Sequence, residues 1–267
     1  MVTGGGTLTA NNCIVTTEGA SSAAIRSDRG GGKLTVNNGT YTTNGEGSPV
    51  IYSTAKITVN DAKLISTSAE GVAIEGENSI TLNNVTLTDT NTTLYKESET
   101  YKNIFLYNSI PQWTNSGSSI FSAVNSKITT NKGDTIFATN TNAIVNLTNN
   151  TIVNNDGDFL RIQAGKWGKS GSNGGNVTLN MENQEVKGNI IVDSISTLVM
   201  NLTSNSKYEG TINGENSAKS ISLKLDSSSK ITLTGDTYVT SLEDADSTYS
   251  NINFNGYKLY VNGTAIN

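Results

Sequence analysis

The segment Lys33-Leu-Thr-Val-Asn-Asn-Gly-Thr-Tyr41 occurs again twice along the chain, and this repetition decides the fold. The copies read Lys56-Ile-Thr-Val-Asn-Asp-Ala-Lys-Leu64 and Ser79-Ile-Thr-Leu-Asn-Asn-Val-Thr-Leu87. The first apolar position of each copy follows the previous one at an interval of 23 residues, at Leu34, Ile57 and Ile80. Self-similarity at a fixed period of this length is typical of stacked-repeat proteins.

A second apolar segment recurs inside each period, and both kinds of segment alternate apolar and polar residues. Its copies include Ala23–Arg26, Pro49–Tyr52, Gly71–Glu75, Ser119–Ser122 and Thr135–Ala138. Alternation with a period of two indicates β-strands, and the Gly or Asn residues between them indicate turns. One period cannot bury its apolar face alone, whereas stacked periods share one core. The sequence therefore predicts an all-β parallel β-helix solenoid of about nine coils of roughly 23 residues, stacked at the spacing of paired strands.

The composition excludes several classes of protein. Asn, Thr, Ser and Gly make up nearly half of the 267 residues, and all four are poor helix formers. The chain contains no histidine, which excludes Ser-His-Asp and Cys-His relays and histidine-bearing zinc sites. Its single cysteine, Cys13, cannot form an internal disulfide and is expected to be a buried, inert thiol. We expect no cofactor and no metal.

Charge and hydropathy limit the partners. The net charge is −5 and the sequence pI is about 4.8, which disfavours charge-driven binding to nucleic acid. No apolar stretch reaches the ~18 residues of a membrane span, so we expect no direct membrane insertion. No signal peptide is visible, and the first residues are similar to the interior of a repeat. We therefore expect the chain to be a segment excised from a longer parent protein.

Paired amide residues recur at one point of the repeat, at Asn11/Asn12, Asn37/Asn38, Asn60/Asp61 and Asn83/Asn84. Asn tolerates the left-handed conformation of a tight corner, and its amide can bond to the next Asn along a stack. The pattern predicts asparagine ladders that build a corner.

These segments carry a resemblance to a known superfamily. KLTVNNGTYTT, KITVNDAKLIST, SITLNNVTLTDT and the closing GYKLYVNGTAIN resemble right-handed parallel β-helix proteins of the pectin-lyase-like superfamily. More narrowly, they resemble repeat segments of secreted or surface-anchored bacterial adhesin-like proteins. The resemblance implies a single-stranded right-handed β-helix domain over residues 1–267. It specifies fold more than function, because the same architecture carries lyases, hydrolases and adhesins.

The resemblance also raises an enzymatic alternative, a polysaccharide lyase or glycoside hydrolase. Asn154-Asn-Asp-Gly-Asp158 is a partial counterpart of the hydrolase motif, and Asp156 and Asp158 are a conceivable acid/base pair. The segment nevertheless lies where other periods have an ordinary turn, and the Gly-His-Gly motif is absent. A lyase needs clustered carboxylates and a basic residue, but Arg26 and Arg161 are expected about five coils apart, roughly 25 Å. We predict no catalytic residues.

Function is expected where the repeat is interrupted, because repeat positions are explained by folding. Insertions are predicted near 91–118 and 166–175. They are expected to leave opposite edges of one sheet face and to form the walls of a groove. A C-terminal cap is predicted near 237–267. Both tryptophans lie in the insertions. The candidate glycan-binding residues are Trp113 and Trp167, helped by Tyr101 and Tyr107, with Tyr52, Glu75, Arg161 and Gln163 as the groove floor.

The sequence thus predicts a non-enzymatic, secreted or cell-surface bacterial adhesin-like module that binds polysaccharide or host glycan. Its other expected partners are adjacent repeat domains of a longer parent chain. A purely structural stalk without a ligand is a further alternative.

Overall fold

The computed structural model describes residues 1–28, 30–94, 100–109 and 117–267. Over these residues the chain forms β-strands and no helix, and no helical segment is long and apolar enough to cross a membrane. The all-β fold class is confirmed. In the first half of the chain the strands are β1 (Val2–Thr3), β2 (Gly6–Thr17), β3 (Ile25–Asp28), β4 (Gly32–Thr43), β5 (Ile51–Ser53), β6 (Lys56–Asn60), β7 (Lys63–Ser66), β8 (Val72–Glu75), β9 (Ser79–Asn83), β10 (Thr86–Asp89), β11 (Lys102–Tyr107), β12 (Ser119–Val124), β13 (Lys127–Thr130) and β14 (Asp134–Thr139).

The second half continues in the same manner, with short strands separated by turns. These strands are β15 (Thr141–Thr148), β16 (Thr151–Asn154), β17 (Leu160–Ile162), β18 (Gly175–Glu182), β19 (Glu185–Lys187), β20 (Ile190–Val192), β21 (Thr197–Thr203), β22 (Lys207–Gly210), β23 (Ser220–Leu225), β24 (Lys230–Leu233), β25 (Thr237–Val239), β26 (Ser241–Asp244), β27 (Ile252–Asn253), β28 (Leu259–Val261) and β29 (Thr264–Ala265).

Strands pair in parallel with the strand about one period further along the chain. Sheet A has the order β1-β3-β5-β8-β11-β14-β17-β20. Sheet B contains two lines that meet in the long strand β4: the first line is β4-β6-β9-β12-β15-β18-β21-β23-β26, and the second is β4-β7-β10-β13-β16. Each three-strand unit therefore contributes one strand to each line and one to sheet A. This pattern of large parallel sheets is compatible with a parallel β-helix.

The repeat anchors stack in register inside this arrangement. Leu34 pairs with Ile57, Ile57 with Ile80, and Ile80 with Phe121. All four side chains are at most 2 % exposed. Because successive strand residues point to opposite faces, every second residue enters a continuous apolar core. This core explains how a chain with so few apolar residues stays folded.

The predicted asparagine ladder is confirmed at the corner between the two lines of sheet B. Nδ2 of Asn37 donates to Oδ1 of Asn11 at 2.8 Å, Asn60 donates to Asn37 at 2.9 Å, and Asn83 donates to Asn60 at 2.8 Å. The residue that follows each ladder member has a positive φ of 54–59°, at Asn12, Asn38, Asp61 and Asn84. Cys13 is half-buried rather than buried, because β2 lies at the outer edge of sheet B.

Two assignments made from the sequence are corrected by the pairing. Ser119–Ser122 belongs to β12, which pairs with β9 in the first line of sheet B instead of joining sheet A. The interval 91–118 is not one insertion, because it contains β11, a regular strand of sheet A. The extra length is divided between the two connections that flank β11.

The C-terminal segment 237–267 first continues the repeat and then ends it. Strands β26, β27 and β28 pair in parallel with β23, β24 and β25. The last strands, β28 and β29, form an antiparallel hairpin. Tyr249, Phe254 and Ile266 pack against this end of the core.

The second line of sheet B is interrupted between β16 and β19, which begins a separate four-stranded sheet, β19-β22-β24-β27. The side chain of Gln184 bridges the interruption. Its Oε1 accepts from the backbone N–H of Asn150 at 2.7 Å, and its Nε2 donates to the Asn150 carbonyl at 2.9 Å. One side-chain amide therefore provides the pair of bonds that a neighbouring strand provides elsewhere.

Asp89 is a charged residue at a core position. It lies between Ser66 and Thr130 in an inward column of the second line and is fully buried. Among the described residues, neither carboxylate oxygen accepts a hydrogen bond of ordinary geometry. Burial, followed by the nearby Glu70 carboxylate, raises the pKa of Asp89 well above its usual value, and the Asn91 N–H and the Lys102 ammonium offset this only partly.

We expect Asp89→Asn to stabilise the protein at pH 7 by about 1–3 kcal/mol, because it removes an unpartnered buried carboxylate. The pKa of Asp89 is raised in the folded state, so stability falls as the pH rises from about 4, where the unfolded chain ionises, to the folded pKa, and the cost is constant above it. The cost disappears as the pH falls through the folded value toward about 4. Urea unfolding of both proteins between pH 4 and pH 8 should show the gain shrinking on acidification.

Asp226→Asn is the matched control with the opposite sign. Burial alone would raise the pKa of Asp226, but hydrogen bonds from Ser204, Ser228 and Ser229 lower it to about 2. This carboxylate therefore stabilises the fold above about pH 4, and its contribution is lost as the pH falls toward 2. Asp226→Asn should destabilise at pH 7. Equal effects of the two variants would contradict the assigned role of Asp89.

Candidate functional site

The outward surface of sheet A carries a column of large side chains in place of the Thr, Asn and Lys found on sheet B. Strand register aligns successive residues of this column across six strands: Arg26, Tyr52, Ala73, Phe105, Phe137 and Arg161. The predicted separation of Arg26 and Arg161 is confirmed, since they occupy one column five strands apart. A parallel column aligns Glu75, Tyr107 and Thr139.

An aromatic cluster forms where these columns adjoin the loop 163–174. The rings of Phe105 and Tyr107 are stacked, with centroids 4.2 Å apart, and Phe137 lies 5.7 Å from Phe105. The indole of Trp167 lies 5.0 Å from Tyr107 and 5.8 Å from Phe105, tilted by about 40° to both. Phe105 and Phe137 are buried and Trp167 is half-buried. The cluster is a second, smaller apolar core on the outside of sheet A, with Trp167 at its surface.

The backbone of the loop 163–174 is held in place by specific contacts. Nδ2 of Asn173 donates to the Gly165 carbonyl at 2.7 Å. Gly168 has a φ of +85°, and a Cβ there would collide with the Asn140 side chain. Asn140 also donates from its Nδ2 to the Asn108 carbonyl at 2.6 Å and from its backbone N–H to the Asn173 carbonyl at 3.0 Å. This residue ties the loop to the chain that follows β11.

Two connections of extra length leave sheet A at the same edge, which corrects the expectation of opposite edges. One follows the end of β11 and the other follows the end of β17, and both lead into the first line of sheet B. The error arose because Ser119–Ser122 was assigned to the wrong face. Asn108, directly after β11, is linked through Asn140 to the loop 163–174, because β11 and β17 are separated only by β14.

A buried carboxylate lies beside the aromatic cluster, next to Tyr107 in the same outward column. Glu75 is 4 % exposed and accepts hydrogen bonds from the hydroxyls of Tyr52, Ser109 and Tyr107, the last at 3.4 Å. Burial raises the pKa of both tyrosines, and the Glu75 charge raises it further, so they remain protonated donors. No described Lys or Arg forms an ion pair with Glu75. Among the described residues, the side-chain groups that donate to Glu75 are these three hydroxyls.

A groove of about 250 Å³ lies against the aromatic cluster and Tyr52. Its floor consists of Tyr52, Ala73, Phe105 and Tyr107, and Trp167 forms one wall. Arg26 and Glu70 form charged parts of the rim, but both are engaged. Arg26 pairs with Asp28 at 2.8 Å, and Glu70 pairs with the buried Lys102 at 3.1 Å. The groove thus combines an apolar aromatic floor with a few fixed polar groups, as small-molecule sites do.

Arg161 lies outside this groove, at the far end of the column. Its guanidinium contacts Asp134 and Asp158, each at 2.6 Å. Burial, followed by the Asp134 charge, raises the pKa of Asp158, although Arg161 opposes the shift. Asp156 accepts a hydrogen bond from the Gly133 N–H at 3.0 Å. The acids proposed as a hydrolase pair are therefore occupied in an ion pair and a turn.

The structure brings together four of the eight sequence-predicted site residues: Tyr52, Glu75, Tyr107 and Trp167. Tyr101 lies apart, with the Lys132 ammonium 5.0 Å from its ring centroid. Gln163 follows β17 near Arg161, and its backbone N–H donates to the Ala138 carbonyl. Trp113 lies outside the described residues. Sequence reasoning missed Phe105, Phe137, Ala73 and Ser109 as members of the site, although aligning the outward positions of sheet A would have found Phe105 and Phe137.

No protein-family model, curated protein or solved structure matches the chain. Among the described residues, no cluster of three or more His, Cys, Asp or Glu side chains is arranged to hold a metal ion. The candidate site is therefore defined by its own geometry.

We expect Phe105→Ala to lower the free energy of unfolding more than Trp167→Ala, because Phe105 supports the groove from within and Trp167 lies at its surface. Loss of the buried Phe105 ring should cost about 3–5 kcal/mol of unfolding free energy. Loss of Trp167 removes two tilted ring contacts at the surface and should cost about 1–2 kcal/mol. Urea unfolding followed by circular dichroism measures both. Equal costs would show that Trp167 is a core residue.

Proposed function

We propose that the aromatic groove on sheet A binds carbohydrate, and that the protein is an adhesin-like binding module rather than an enzyme. The observation that carries the proposal is the Trp167 ring, half-buried and held 5.0 Å from Tyr107 at the wall of the groove. Aromatic rings that are apolar on the face and polar at the edge suit the apolar faces and hydroxyls of a sugar. The fixed loop contacts of Gly168 and Asn140 support a preformed site.

The fold and its setting are also proposed in finer detail: a single right-handed β-helix in a secreted or surface-displayed module. Three-strand units that stack in parallel register are consistent with a single right-handed β-helix of the pectin-lyase-like type. With the adhesin-like repeats, they support a module secreted by or displayed on a bacterial cell. In this view sheet B is a rigid frame and sheet A presents the binding surface.

The groove chemistry favours neutral sugars over uronic acids. Glu75 contributes a buried negative charge without a cationic partner among the described residues, and Arg26 and Lys102 already pair with Asp28 and Glu70. An anionic ligand would approach this charge through a poorly solvated groove, where repulsion is weakly screened.

We expect wild-type protein to bind neutral oligosaccharides in isothermal titration calorimetry, and Trp167→Ala to weaken binding by about 1–2 kcal/mol, roughly five- to thirtyfold. The matched control is Tyr260→Ala. Tyr260 stacks on Tyr238 at 4.6 Å in a separate outward aromatic pair, so its loss should leave affinity unchanged. Equal losses in both variants would indicate a global effect, and no binding to any glycan would leave the structural stalk as the better account.

Charge selectivity is a separate expectation. Neutral oligosaccharides should bind more tightly than oligogalacturonates. Glu75→Gln should reduce this difference in affinity between the neutral and the acidic ligand. Glu209→Gln removes an exposed carboxylate that pairs with Lys187, and serves as the control. Tighter binding of the acidic ligand, with release of unsaturated or reducing ends, would favour the lyase or hydrolase alternative.

A further inference from the structure

The first strand of sheet B leaves its outer edge open. Strand β2 pairs with β4 from Gly6 to Thr17, and none of the described strands pairs with its other side. It therefore presents a 12-residue row of backbone groups without a strand partner. Long unpaired edges are usually shortened, charged or covered, because they attract other strands.

The core is also open at this end. Leu8 points inward at the same position as Leu34, Ile57 and Ile80, yet it is 38 % exposed while those residues are at most 2 % exposed. Ala10 and Val15 are only partly buried, whereas their register partners Val36 and Tyr41 are buried. The opposite end differs: Ile252, on the last strand of its sheet, is 4 % exposed beneath the C-terminal cover.

The asparagine ladder has a direction and leaves a hydrogen-bond donor at this edge. Each ladder member donates from Nδ2 to the Oδ1 of the member before it, and the series ends at Asn11. Among the described residues, the Asn11 amide nitrogen has no acceptor. A strand that continued the ladder would supply a side-chain carbonyl at this position, which another Asn provides.

Strand β1 indicates the direction from which such a strand would come. Val2 and Thr3 pair with Ser27 and Asp28 of β3, so β1 already occupies the sheet A position of a further unit. Polypeptide entering β1 from its N-terminal side would pass directly over β2.

We infer that the β2 edge is an interface for one more parallel three-strand unit of the same repeat type, carried by polypeptide that leads into β1. The partner strand is about as long as β2, places apolar residues over Leu8, Ala10 and Val15, and carries Asn opposite Asn11. Backbone pairing supplies affinity, and the ladder and apolar positions set the register.

A second copy of the chain fits this edge poorly. Two copies related by a twofold axis would pair β2 in antiparallel fashion, with the same Asn11 donor on both sides. A head-to-tail contact would meet the end that the β28–β29 hairpin and its neighbouring aromatics cover.

The test fuses a copy of residues 32–52 to Val2 in place of Met1, so that β1 becomes the third strand of the added unit. Two control fusions carry Asn37→Leu or Leu34→Lys within the copied segment. Hydrogen exchange of the β2 amides is measured in all three fusions and in the unfused protein, and thermal unfolding confirms that each is folded.

If the added unit pairs with β2, the β2 amides should exchange about tenfold more slowly, or slower still, in the intact fusion than in the unfused protein. The Asn37→Leu copy should protect less, and the Leu34→Lys copy should not protect at all. Unchanged exchange in a folded intact fusion would overturn the inference. So would concentration-dependent self-association of the unfused protein, measured by analytical ultracentrifugation, that Leu8→Lys abolishes, because it would assign the edge to a second copy. None of these results depends on glycan binding.

Discussion

Parallel pairing in register between successive repeats is the interaction on which the rest of the structure depends. Once Leu34 lies beside Ile57, the period of two along each strand decides which residues enter the core and which face outward. A slip by one residue would expose the core residues and bury the polar ones. The ladder of Asn11, Asn37, Asn60 and Asn83 opposes such a slip, because the hydrogen bonds between its side-chain amides form only in one register.

The candidate site follows from the same constraint. Register brings together residues that are far apart in sequence, and so Tyr52, Glu75, Phe105 and Tyr107 adjoin on one surface. The aromatic cluster then buries apolar groups on the outside of a sheet, where other outward positions are polar. Trp167 is added by a loop whose glycine and asparagine contacts leave it little freedom. The scaffold thus supplies the floor of the groove, and a departure from the repeat supplies its wall.

The all-β class, the parallel pairing of successive repeats and the asparagine ladder were readable from the sequence because their signals are local. Alternating residues, Asn corners and fixed spacing each act within a few residues. The site was only partly readable. Strand β11 was not recognised within 91–118. A strand with a long connection on each side has the same total length as a single insertion, so the spacing alone does not distinguish the two. Ser119–Ser122 was misplaced because a short apolar strand fits either sheet. The column through Phe137 depends on strand pairing across units, and the hydroxyl groups that donate to Glu75 come together only in the folded chain.

The bridge between Gln184 and Asn150 has a mechanical consequence. Elsewhere in the second line of sheet B, neighbouring units are joined by rows of backbone hydrogen bonds. Here the buried side chain of Gln184 provides the hydrogen bonds to Asn150. Sheet A and the first line of sheet B remain continuous across this point, through the β17–β20 and β15–β18 pairs. Tension along the stack would therefore open this side first and bend the molecule about the other two. The stack would then consist of two stiffer blocks joined by a more compliant connection.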